Sequence, residues 1–164
     1  MIKGEVKLRL ATVSDVATII HHRRSMFAEM GFREKANLDA MEATATPFIK
    51  AGLENGSYRG WLMESGGSVI AGGGVVVVGF PPSPRDMTAH RAWIMNMYTE
   101  PEYRGAGLAR GIMEAMILWC REQGFMSVSL HASDAGRHLY ETLGFTPTNE
   151  MRLPLPQFRD AADK

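Results

Sequence analysis

The stretch Arg104-Gly105-Ala106-Gly107-Leu108-Ala109-Arg110-Gly111 carries the residue types and spacing best suited to chemistry in this chain. An apolar run ends at Thr99, Pro101 makes a turn, and the glycine-studded loop then opens directly into a helical pattern. The first amides of a helix have no partner within it, and glycine leaves them uncrowded, so such a loop grips anions. It reads as a phosphate cradle on a strand–loop–helix unit. A nucleoside-triphosphate loop requires Gly-x-x-x-x-Gly-Lys-[Ser/Thr], and the lysine and hydroxyl are absent here. A dinucleotide fingerprint requires a third glycine where Arg110 stands and a following βαβ series, and neither is present.

The elements that must hold this loop follow from the patterning. A chain of 164 residues is expected to form one domain with a single sizeable core. Eighteen basic residues balance eighteen acidic ones, which gives no bulk attraction to nucleic acid or to an anionic membrane. The single cysteine, Cys120, rules out an internal disulfide, offers no metal framework, and suits a reducing compartment. The charged, alternating start Met-Ile-Lys-Gly-Glu-Val-Lys is not a signal peptide, and no apolar run approaches the roughly 18 residues of a membrane span. A soluble, cytoplasmic protein is the expectation.

Residues 5 to 10 alternate as a first strand. Thr12 to Asp15 fits a capping box, and Val16, Ile19, Ile20, Phe27 and Met30 then follow helical spacing as far as Gly31. His21, His22, Arg23 and Arg24 read as a solvated face or as the wall of a substrate cleft. A second helix is expected from about Leu38 to Leu53, kinked or divided at Pro47. Tyr58 to Glu64 and Val69 to Phe80 form a hairpin across Ser65-Gly66-Gly67-Ser68. Gly72-Gly73-Gly74 suggests a bulge or a close backbone approach. A proline-rich connection over 80–89 leads to the strand Arg91–Thr99. Leu108, Ile112, Met116 and Trp119 trace one face of a helix stopped by Gly124. Phe125 to His131 alternates again, Asp134 to Leu143 is a short helix, and Glu150 to Leu155 is a candidate last strand. The order β-α-α-β-β-β-α-β-α-β describes a mixed-sheet α/β domain with one parallel pair around the central loop.

Arg104-Gly105-Ala106-Gly107-Leu108-Ala109 also resembles the [Gln/Arg]-x-x-Gly-x-[Gly/Ala] motif of the GNAT acyl-CoA-dependent N-acyltransferase superfamily. Tyr98-Thr99-Glu100-Pro101-Glu102-Tyr103 is similar to that family's entry into the loop. Downstream, His131-Ala-Ser-Asp-Ala-Gly-Arg-His-Leu-Tyr-Glu-Thr-Leu-Gly-Phe145 resembles its second signature, Gly-Arg-x-x-Tyr-x-x-x-Gly-Phe. The resemblance covers nearly the whole chain in element order. It implies a mixed, mainly antiparallel sheet with a central splayed parallel pair, flanked by about four helices. The ligand it implies is acetyl-CoA, without a metal. The amides of Gly105, Ala106, Gly107, Leu108, Ala109 and Arg110 would hold the pyrophosphate, and Arg104 would order the loop or reach a phosphate. The pantetheine would run beside Met97, Tyr98 and Thr99. Ser133, Gly136 and Arg137 would line the pantetheine and adenine side, with Arg137 as a surface ion pair the alternative.

Acyl transfer to an amine of pKa about 10 needs its deprotonation, which costs near 4 kcal/mol at pH 7 if nothing assists. It also needs a polarised carbonyl, which a strand N–H near Met97 can supply, and a proton for the departing thiolate. Tyr140 matches the family tyrosine that gives that proton; packing beside Leu139 and Leu143 is its structural alternative. Asn96 is a polar residue within an apolar strand. It either orients the acceptor or a water, or is an ordinary satisfied amide. His131 is either a base or a loop-bonded structural histidine, and Glu100 is a weaker base candidate. Trp61, Trp93, Trp119 and Cys120 read as core, and Met95 and Met97 can touch the acyl chain. The reading is transfer of acetyl from acetyl-CoA directly to a primary amine of a small molecule or peptide. The acceptor would lie under the first two helices and the 80–90 loop, and a homodimer is compatible with the family. The alternative is an acyl-CoA sensor that has lost transfer chemistry.

Overall fold

Backbone hydrogen bonding and apolar periodicity together build a sheet sandwiched between helices. The structure, a computed structural model, describes residues 5–155; Met1–Gly4 of the charged N-terminal stretch and residues 156–164 lie outside the described residues. The strands are β1 (Lys7–Leu10), β2 (Tyr58–Ser65), β3 (Ser68–Gly79), β4 (His90–Thr99) and β5 (Val128–Leu130). The helices are α1 (Val16–Glu29), α2 (Lys35–Asn55), α3 (Leu108–Glu122) and α4 (Asp134–Thr142). The sheet runs in chain order from β1 to β5, antiparallel throughout except for the parallel pair β4–β5.

Two cores lie on opposite faces of the sheet. Ile19 and Ile20 of α1 and Ile49 of α2 pack on Tyr58 and Val76. On the other face α3 presents Ile112, Met113, Met116 and Cys120, a stripe with helical spacing, to Trp61, Ile70, Val75, Ala92 and Ile94. Ile112, Met113 and Met116 are fully buried, each worth about 1.5–3 kcal/mol of transfer free energy. The β2–β3 turn has positive φ at both Gly66 and Gly67, the geometry whose twist matches a tight hairpin.

Four expectations change. The second helix runs unbroken from Lys35 to Asn55 with Pro47 inside it. β5 is shorter than 125–131 because the Phe125 amide is spent on the Cys120 carbonyl, closing the end of α3. Residues 150–155 form no strand. The bulge lies in β4 rather than in the glycines of β3: Gly72 pairs with Tyr98 and Gly74 with Met95, so Gly73 alone faces Asn96 and Met97. Asn96 takes up the extra residue at φ 58, a left-handed conformation that asparagine tolerates better than most side chains. The glycines supply the close approach instead. A Cβ on Gly73 would strike the Met97 sulfur and come within 3.0 Å of Ile112, and one on Gly74 would strike the Tyr58 hydroxyl.

Candidate active site

β4 and β5 pair only over Ala92–Ile94 and Val128–Leu130, so the second half of β4 has no strand beside it on that side. The strands part there and open a cleft of about 910 Å³. Met97, Tyr98 and Thr99 form one wall, Ala132 to Gly136 with Leu139 and Tyr140 the other, and Gly105 and Gly107 to Arg110 the floor. Met26, Glu29 and Met30 close it from α1. Ala106 lies on the loop but is not part of this lining.

Two helix N-termini face the cleft. Gly107 stands at the start of α3 with φ 79 and offers no side chain to cap it, and Gly105 has φ 78. Only glycine adopts such a backbone at little cost, and the absent cap leaves the amides of residues 108–110 free for an anion. Arg104 crosses the loop instead of projecting into it. Its Nε donates to the Thr99 carbonyl at 2.9 Å and its Nη2 reaches both Glu29 carboxylate oxygens at 2.7 and 2.9 Å. These bonds tie the loop to β4 and α1, and Arg104 also lines the cleft.

Tyr140 is held by its own signature. Ser133 caps α4 by accepting from the Gly136 amide at 3.3 Å. The Tyr140 ring lies across Gly136, where an added Cβ would come within 2.7 Å of it. At the other end of α4 the Phe145 amide donates to the Tyr140 carbonyl and the Gly144 amide to that of Glu141. That helix terminus brings the Phe145 ring 6.1 Å from the Tyr140 ring. The Gly-x-x-x-Tyr-x-x-x-Gly-Phe spacing is therefore a steric mount for one phenol. Burial raises the pKa of that phenol above its ordinary value.

The bulge turns Met95 and Asn96 both toward α1 and α2. Asn96 is buried, accepts from Arg23 Nη1 at 2.7 Å and donates to the Tyr58 hydroxyl at 3.1 Å. Tyr58 is raised to about 12 by burial. Two residues on, Tyr98 packs its ring 5.2 Å from that of His22 and donates to Glu29 at 3.3 Å. His22 is buried and lowered to about 4, first by burial and then by the charge of His21. The structure does not bring Asn96, His131 or Arg137 into the cleft lining. His131 lies 5.0 Å from the Trp93 ring and 3.3 Å from Glu150. Glu100 is held near His21 and His22, at 3.3 and 3.7 Å. The 80–89 connection joins β3 to the start of β4, at the opposite end of that strand from Thr99, and lines none of the cleft.

Sequence reasoning missed Tyr58 and left His22 and Arg23 between a solvated face and the wall of a substrate cleft. The solvated face is wrong for both, since His22 is buried and Arg23 part-buried. The signal for Arg23 was present: it stands four residues after Ile19 and four before Phe27, in the apolar stripe itself.

Residues 21–145 match the acetyltransferase (GNAT) family. A solved GCN5-related N-acetyltransferase from Ralstonia eutropha superposes with a TM-score of 0.86 at 33% identity, covering 92% of this chain and 99% of that one. A predicted acetyltransferase from Clostridium acetobutylicum, solved with acetyl-CoA, gives a TM-score of 0.87 at 26% identity over 95% of this chain and 100% of that one. Rat N-acetyltransferase 8 is 28% identical over 93 residues, which are 55% of this chain and 40% of that protein. The match to such curated relatives thus spans about two fifths of their length. The chain belongs to the GNAT acetyltransferase family. That membership supports acyl-CoA-dependent acetyl transfer in general. Among the described residues no helix is long and apolar enough to cross a membrane.

Proposed function

We propose that this protein transfers acetyl from acetyl-CoA directly to a primary amine of a small molecule or peptide, in a ternary complex. The observation that carries the reading is the mounted Tyr140 phenol on the wall of a cleft floored by free helix amides. The residues present fit the coenzyme: amides of residues 108–110 suit a pyrophosphate without a metal, and the unpaired edge of β4 at Met97 to Thr99 suits an amide-bearing arm. Acetyl-CoA supplies an activated thioester; the chain supplies the rest. A β4 amide freed from the ladder near Met97 polarises the carbonyl oxygen. As the acceptor nitrogen bonds to that carbon and the carbon–sulfur bond breaks, the Tyr140 hydroxyl gives its proton to the departing sulfur. The proton lost by the nitrogen returns to the phenolate through water. Ser133 and Gly136 set where that hydroxyl sits, while Met97 and Leu139 keep the cleft wall apolar.

The test is release of free thiol from acetyl-CoA with a panel of primary amines. Turnover in wild type, with kcat reduced about 10²-fold or more in Tyr140→Phe, is expected. Coenzyme binding in both proteins without turnover on any amine would point to an acyl-CoA sensor.

A further inference from the structure

Arg23 is a part-buried cation with no carboxylate partner among the described residues. Arg9, Arg24, Arg91, Arg104 and Arg110 all reach an Asp or Glu. Arg23 instead spends Nη1 on the neutral Asn96 amide, places its guanidinium 4.9 Å from the Phe27 ring centroid, and leaves Nε without an acceptor. Burial works against its charge. A buried cation that lacks a counter-charge is costly, and removing it from water is repaid only when an anion arrives. Among the described residues Nη2 has no hydrogen-bond partner either, so Nη1 is the only nitrogen of this guanidinium seen to donate. A guanidinium with unused donors suits a carboxylate, which accepts charge-assisted hydrogen bonds.

The location says whose carboxylate. Arg23 and Asn96 lie outside the cleft lining itself, but Arg23 stands three residues before Met26 on the same face of α1, and Met26 lines the cleft. On the strand side Arg23 grips Asn96, the residue next to Met97 at the bulge where the thioester carbonyl is placed above. We infer that Arg23 binds the carboxylate of the acceptor, so that the acceptor is an amine carrying a carboxylate a few bonds from its nitrogen. This deepens the transferase reading and rests on it.

The experiment pairs glycine, β-alanine and lysine with glycinamide, β-alaninamide and lysinamide as acceptors, read by thiol release from acetyl-CoA. In wild type the best carboxylate-bearing acceptor should exceed its amide in kcat/KM about tenfold or more. Arg23→Gln should collapse that ratio toward one through KM, and Arg23→Lys should restore part of it. Melting of the same proteins with coenzyme A present supplies a second readout. Carboxylate-bearing amines should raise the melting temperature of wild type and not of Arg23→Gln. If no amine turns over but this shift is seen and lost in Arg23→Gln, the transferase reading falls and the carboxylate site stands. Equal ratios in wild type and Arg23→Gln, or no shift with any carboxylate-bearing amine, overturn the inference. So does Arg23→Gln melting several degrees lower with coenzyme affinity lost, because the residue is then structural.

Discussion

Tyr140 shows how far a single side chain depends on its immediate neighbours. Its ring needs the empty space over Gly136, and the Phe145 ring leans on it from the helix end. Gly136→Ala should therefore displace the phenol while leaving the fold intact, reducing kcat by at least tenfold with the melting temperature changed by only a few degrees; steady-state kinetics beside a thermal melt reads both. A Gly136→Ala enzyme with wild-type kcat would show that the ring position does not matter. The pH profile follows from the raised pKa. A phenol whose pKa lies above its ordinary value keeps its proton to higher pH, so the alkaline limb of kcat should lie above about pH 10. That limb should vanish in Tyr140→Phe.

Among the elements, α1 and β4 form a unit that neither makes alone. The β4 bulge turns Asn96 toward α1, and Arg23 and Tyr58 satisfy its amide from opposite sides. Below it His22 fills the space over Gly72, where an added Cβ would lie 3.0 Å from Nδ1. Burial lowers His22 from the usual 6.5 to about 4. Between these values the unfolded chain binds a proton that the folded chain refuses, so stability rises with pH through that window and is lost as pH falls through it. The full contribution is at most about 3.5 kcal/mol, from about 1.4 kcal/mol per unit, and the Glu100 carboxylate 3.7 Å away offsets part of it. Melting curves of His22→Gln should accordingly change less than wild type between pH 7 and pH 4. Parallel curves for the two proteins would mean that His22 takes up its proton in the folded state.

At the scale of the molecule, the cleft exists because two strands part after three paired residues and two helices begin at the gap. Coenzyme should then stabilise the whole fold. At a hundredfold excess over Kd, coenzyme A adds about 2.7 kcal/mol, visible as a melting shift of several degrees. A carboxylate at the start of α3 would repel the pyrophosphate, and any side chain there meets the positive φ of Gly107. Gly107→Asp should abolish the shift, as read by thermal melting across a coenzyme titration. An unchanged shift would remove the pyrophosphate from this loop.

The chain's own patterning determined the element order as far as α4, the hairpin at Gly66-Gly67, the loop opening into α3 and the spacing around Tyr140. Each of these is local: a turn, a cap or a helical stripe is dictated by residues within about a turn of one another. What it could not determine was where the extra residue of β4 goes, because register is set by what packs on both faces of two strands at once. Gly72-Gly73-Gly74 reads equally as a bulge or a close approach until Met97 and Ile112 are placed against Gly73. Likewise Arg23 and His22 stay undecided between a solvated face and a cleft wall until α1 is docked over β4 and the bulge turns Asn96 to meet Arg23. Burial is a property of the assembled layers, and it converts a polar run on a helix into a buried charge beside the cleft. The glycine loop and the mount of Tyr140 were written along the chain. The cluster of Arg23, Asn96 and Tyr58 was decided by tertiary packing, because its residues come from α1, β4 and β2 and meet only when those elements do.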